Sequence, residues 1–206
     1  MVVPDPTGPF QPKEFILPAG SGLYRVASNS RDAKQFNPGV GGPTRFAFFN
    51  IPPVPVIYAA ETLAAAICET LLHDVPQDGG NLRPRAYRDK IGVRLALKRN
   101  LRLASFMGLG LKTLKIEASQ LTDTLPTEYA RTVKWAQAAH EAGFDGAVWM
   151  SRRCNSDQAF VLFGDRVGPG ELEIDPWFGR VFAAGPDLDW LIQFCAPLHI
   201  EVLVHS

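Results

Sequence analysis

The sequence predicts an α+β domain: a mixed or largely antiparallel sheet with a few flanking helices. Segments with strand character outnumber helical ones and do not alternate regularly with them, unlike the order of a doubly wound sheet. The chain has 206 residues, 46% hydrophobic and 20% charged, which suits one core and is short for two full domains.

Residues 1–20 hold Pro4, Pro6, Pro9, Pro12 and Pro18, so they read as an extended or loosely docked leader to a domain spanning 21–206. Leu23-Tyr24-Arg25-Val26 reads as a short strand. Residues 28–44 are rich in Ser, Asn, Gly and Pro, the mark of a long functional loop. Residues 45–49 and 55–59 are expected as strands. A helix over 61–73 follows, with Leu63, Ala66, Ile67, Thr70 and Leu71 at helical spacing. A polar loop is expected over 74–90, then a half-buried strand from Ile91 to Leu97, continued by Leu101 to Phe106. A helix runs from near Thr127 to Ala142, closed by Gly143. Strands are expected at 146–150 and 158–163, a helix capped by Asp187 through Cys195, and a final strand at 200–204.

Charge and cysteine usage narrow the function. Lys+Arg and Asp+Glu balance at 21 each, which speaks against direct nucleic-acid binding while leaving room for one small phosphorylated ligand. Cys68, Cys154 and Cys195 form no C-x-x-C pair, so neither a disulfide framework nor a cysteine zinc site is expected. With only four histidines besides, no metal is expected. The amino terminus lacks the pattern of a signal peptide, and Pro55, Glu61 and Glu69 interrupt the apolar stretch 54–72. A cytoplasmic protein without membrane association is therefore expected.

Several residues carry possible chemistry. Glu69 lies on a helix that is apolar nearly all round, where a carboxylate needs compensating donors or cations. It reads either as a site carboxylate or as a Glu on the solvent face or paired with an arginine. Arg25 sits inside an apolar strand, and Arg45 follows Gly39-Val40-Gly41-Gly42-Pro43, a loop that permits close approach to a phosphate. A structural salt bridge is the competing reading for both arginines. Tyr58 ends a strand and suits ring stacking or core packing. Ser151 ends the 146–150 strand without a G-x-S-x-G motif around it, so a hydrolase nucleophile is weakly supported. Lys98-Arg99-Asn100-Leu101-Arg102 reads as a solvated basic turn.

Taken in order, these segments resemble the RES domain, a family named for an Arg, a Glu and a Ser. Leu23-Tyr24-Arg25-Val26 is similar to its opening motif, and Gly42-Pro43-Thr44-Arg45-Phe46 to its second arginine step, although Ala47 stands where the family usually has an Asn. Val54 to Ala60 and the helix ending Cys68-Glu69 resemble its Glu block, and Gly143 to Arg152 followed by Ala159 to Phe163 its Ser block. The resemblance implies a fold related to ADP-ribosyltransferases. It also implies a toxin of a toxin–antitoxin pair that depletes NAD by hydrolysis or phosphorolysis of the nicotinamide–ribose bond. An Xre-type antitoxin covering the active site is the implied partner. A protein ADP-ribosyltransferase and a non-catalytic binding module are the alternatives.

On this reading NAD is a substrate, and no metal is needed because the leaving group is already cationic. Glu69 serves the ribose and its oxocarbenium, Arg25 and Arg45 the pyrophosphate, and Tyr58 and Tyr24 the ring or ribose. Ser151 orients Glu69 or a ribose hydroxyl, with Ser156 as its competitor.

Overall fold

Apolar residues on both faces of the central strands build a sheet covered on two sides. The computed structural model describes residues 2–205. Strands β1 (Glu14–Leu17), β2 (Gly22–Ser28) and β3 (Val56–Ala60) precede helix α1 (Leu63–Thr70), strand β4 (Gly80–Leu82) and helix α2 (Pro84–Tyr87). Strands β5 (Lys90–Leu97) and β6 (Leu101–Ser105) follow, then helices α3 (Leu109–Thr113), α4 (Ala118–Leu121) and α5 (Tyr129–Glu141). Strands β7 (Gly146–Met150), β8 (Gln158–Phe163) and β9 (Leu172–Val181), helix α6 (Pro186–Cys195) and strand β10 (Ile200–Val202) complete the chain. Eight strands form one sheet in the order β1-β6-β7-β8-β3-β2-β5-β9, and β10 pairs with β4. Within the large sheet only β6 and β7 run parallel, so the predicted α+β class holds.

The middle of the sheet is buried on both sides. Ala147, Trp149 and Val161 pack on one face with α5, while Val148, Phe160 and Leu162 pack on the other. A third apolar cluster joins α1 to α6 and β10 through Ile67, Leu71, Leu191 and Ile200. Gly146 is required where it stands, because a Cβ there would overlap the Val161 carbonyl oxygen of the paired strand. Beside it, Asp145 accepts bonds from the Arg102 N–H and from both terminal nitrogens of Arg99. Arg99 also pairs with Glu171, so the basic turn expected to be solvated instead ties three loops together.

One break in the sheet positions the site. β2 and β3 are registered only through Tyr24 and Ala60. Towards the start of β3 its free edge is taken by Asn37, which exchanges backbone bonds of 2.7 and 3.0 Å with Val56. The long loop after β2 therefore wedges into the gap, and a cleft opens there.

Several expectations need correction. Residues 45–49 are not a strand: Thr44 and Ala47 exchange backbone bonds across a tight turn, and Phe46, Ala47 and Phe49 are all buried. The apolar run comes from a coiled segment with side chains directed inward, not from a pleated ribbon. The 74–90 segment contains β4 and α2, the latter opened by Pro84 at its first turn. Asp187 does not cap α6; it lies in the first turn and accepts bonds from Arg180 and the Val181 N–H. α1 ends at Thr70, leaving His73 in the following turn. Residues 1–20 include β1, paired with β6, and Val3, buried against the core that contains Trp135.

Candidate active site

The cleft has a volume of about 410 Å³, and Tyr24, Arg25, Arg45, Tyr58, Glu69 and His73 line it. Three chain segments bring these residues together. β2 supplies Tyr24 and Arg25 beside the break, β3 supplies Tyr58, and α1 carries Glu69 on its last turn. Thr62 starts α1, its hydroxyl accepting from the Ala65 N–H while donating to Asp157. That contact pins the helix to the turn between β7 and β8, which carries Ser151.

Ser151 is fully buried behind the cleft wall. Its Oγ accepts the Cys154 N–H at 3.0 Å and donates to Glu69 Oε1 at 2.5 Å. The incoming amide occupies the hydroxyl as an acceptor and directs its proton to the carboxylate. Glu69 is only half-buried, its helix neighbours Ala65 to Cys68 being buried. Ser156 is exposed, and its nearest polar contact is a 3.7 Å approach to the Cys154 sulfur.

Neither cleft arginine forms an ion pair among the described residues. Arg25 Nη1 donates to the carbonyl oxygens of Ala33 and Gln35, at 2.5 and 3.2 Å, tying the long loop to β2. Burial lowers its pKa to about 10, opposed by the charge of Asp32. Arg45 Nη1 donates to the Thr124 hydroxyl at 2.5 Å and the Thr124 carbonyl at 3.2 Å, and its guanidinium lies 5.1 Å over the Tyr129 ring. Burial lowers its pKa as well, with Tyr129 and Glu69 acting in the opposite sense and Arg152 adding like-charge repulsion. Each guanidinium uses one nitrogen to hold a loop, and both residues line the cleft.

Tyr58 is oriented rather than free. Its hydroxyl accepts the Phe46 N–H at 3.2 Å and lies 2.8 Å from Thr44 Oγ1, which donates onward to the Ala47 carbonyl. With the Thr44 proton used there, the Tyr58 proton goes to Thr44 Oγ1. Burial pushes the phenol up to about 12. Tyr58 therefore offers the cleft its ring and not its hydroxyl. Tyr24 packs edge-on against Phe178 with centroids 5.1 Å apart.

Thr44, His73 and Tyr129 also line the cleft, and Thr124 holds Arg45, although none of them stands out in the sequence. His73 was within reach, being a wheel neighbour of Glu69. Tyr129 opens a helix whose sequence carries no ligand signal. Among the described residues no group of three or more His, Cys, Asp or Glu is placed to hold a metal ion. No described helix is long and apolar enough to cross a membrane.

A family model described as RES domain matches residues 22–180. No curated protein matches the chain. Among solved structures the chain is similar to one titled as the M. tuberculosis MbcT-MbcA toxin-antitoxin complex. The TM-score is 0.56 at 16% identity, over 80% of this chain and 85% of that one, which is a likeness of fold.

Proposed function

The chain belongs to the RES domain family, and from that premise we propose that it is the toxin of a toxin–antitoxin pair that depletes NAD. The observation that carries this reading is the buried Ser151–Glu69 contact at the wall of a cleft that also holds two guanidiniums. NAD has matching chemistry: an anionic pyrophosphate, a ribose, and a cationic nicotinamide that leaves as a neutral molecule. When the nicotinamide–ribose bond breaks, the ring departs with the bonding pair and positive charge develops at the anomeric carbon. A carboxylate held in place beforehand stabilises that charge without reorganising during the reaction. Glu69 is that carboxylate, and Ser151 positions it. Arg25 and Arg45 take the pyrophosphate, while the rings of Tyr58 and Tyr24 bound the nicotinamide or ribose.

The antitoxin is an Xre-type protein that covers this cleft. Leu125 follows Thr124, which Arg45 holds, and Val40 lies in the Gly-rich loop before the cleft residues Pro43 to Arg45; both are strongly exposed and offer apolar surface to such a partner. The protein works in the cytoplasm, where the NAD pool is. Inducing wild type and Glu69→Gln side by side in a bacterial host tests the role. Growth arrest with falling NAD is expected for wild type alone. Normal growth and unchanged NAD with well-folded wild type would contradict it.

A further inference from the structure

His73 lines the same cleft as Glu69, at the mouth rather than the wall, with its side chain 37% exposed. Its Nδ1 lies 2.9 Å from Asp74 Oδ1. A carboxylate only accepts, so Nδ1 carries the ring proton and Nε2 presents a lone pair. With the ring proton on Nδ1, the hydroxyl of Tyr129, whose ring supports Arg45, is the donor to Nε2 at 3.5 Å, a long contact that an incoming O–H would displace. The backbone is held too, since Arg153 donates to the carbonyl oxygens of His73 and Val75. The Asp74 contact thus leaves Nε2 as the acceptor nitrogen of an imidazole that lines the same cleft as the Glu69 carboxylate.

We propose that His73 is the acceptor-side catalytic residue, its Nε2 receiving the O–H of the molecule that attacks the anomeric carbon. This rests on the NAD-cleaving reading. The acceptor is an oxygen nucleophile, either water or inorganic phosphate. The nicotinamide C–N bond breaks with its electron pair going to the ring, and the C–O bond forms from the acceptor. For water, the proton released passes to Nε2 and then to solvent. For phosphate, the O–H bond to Nε2 aims an anionic oxygen at the carbon. Asp74 orients the imidazole and stabilises its protonated form.

The test uses the purified full-length chain with NAD, in phosphate-free buffer and with inorganic phosphate, following nicotinamide release. His73→Asn is expected to lower kcat about a hundredfold or more while the calorimetric Kd for NAD stays unchanged. In His73→Gly, added imidazole is expected to restore part of the rate, which a merely structural role would not allow. Loss confined to the phosphate-free arm identifies water as the acceptor, and loss confined to the phosphate arm identifies phosphate. If His73→Asn fails to fold, the exposed Asp74→Asn reads the same step through a lower kcat at unchanged Kd. Active wild type with unchanged kcat in His73→Asn, or in Asp74→Asn where the first does not fold, overturns the assignment and leaves the NAD reading intact. So does a variant that only weakens NAD binding. Wild type inert towards NAD in both arms overturns that reading, and this assignment with it.

Discussion

Ser151 donates to Glu69 across 82 residues of chain, at 2.5 Å, from a position with no solvent exposure. The serine's direction is set by the Cys154 N–H, and the turn that carries both is tied to the start of α1 through Asp157 and Thr62. Helix and turn are therefore tied together, and Ser151 holds one oxygen of the Glu69 carboxylate. The proposed function gives the serine a positioning role, since a nucleophile would have to face the cleft and Ser151 is buried.

Ser151→Ala removes the donor and leaves the Cys154 amide without its acceptor. NAD turnover should fall about tenfold or more, with a stability loss of roughly 1–3 kcal/mol. Ser156→Ala is the control and should match wild type in both. Steady-state kinetics and urea denaturation of the two variants check this, and equal turnover in Ser151→Ala would remove the positioning role.

Lysine at position 25 or 45 keeps the charge and loses the fork, one nitrogen of which holds a loop while the proposed function gives the rest to the pyrophosphate. Each substitution should weaken NAD binding, by roughly tenfold if one charge-assisted bond is lost. Calorimetric titration in a Glu69→Gln background separates binding from turnover. Unchanged affinity in both variants would restrict these arginines to holding their loops.

Tyr58→Phe keeps the ring and deletes the hydroxyl that serves Phe46 and Thr44. Stability should fall by roughly 1–3 kcal/mol while NAD affinity is largely retained. The alkaline limb offers a second check. With the folded phenol at about 12 and the unfolded one near its usual 10, folding retains the proton more tightly. This contribution is fully present below pH ~10 and is lost as pH rises through the folded value. Wild-type stability should therefore decline more steeply than that of Tyr58→Phe between those limits, by chemical denaturation at several pH values. Parallel declines would show that the phenol does not contribute.

The cleft was partly legible in the sequence because its charged residues stand out against apolar neighbours. Arg25 inside β2 and Glu69 inside α1 are anomalies of local pattern, and the structure brings both to one cavity. β5 was readable because its residues alternate in burial along most of its length. β9 was not, since it is a largely exposed edge strand containing Asp175, Pro176 and Gly179, and its pairing shifts register between Val93 and Leu95. The 45–49 segment misled because an inward-coiled apolar turn and a buried strand have the same composition. Arg99 misled because its partners, Asp145 and Glu171, are 46 and 72 residues away. Thr124 and Tyr129 had no local signal at all, being recruited by Arg45 through tertiary contact.

Glu69→Gln is nearly isosteric and can still accept the Ser151 hydroxyl proton, so the fold should be unaffected while the charge proposed to stabilise the anomeric carbon is lost. The decisive measurement is nicotinamide release from NAD by purified wild type and Glu69→Gln of equal thermal stability. Turnover by wild type and a fall of about 10²–10³-fold in the variant is the predicted result. Equal turnover in the two proteins, or none in well-folded wild type with or without phosphate, would contradict an NAD-cleaving site built around Glu69.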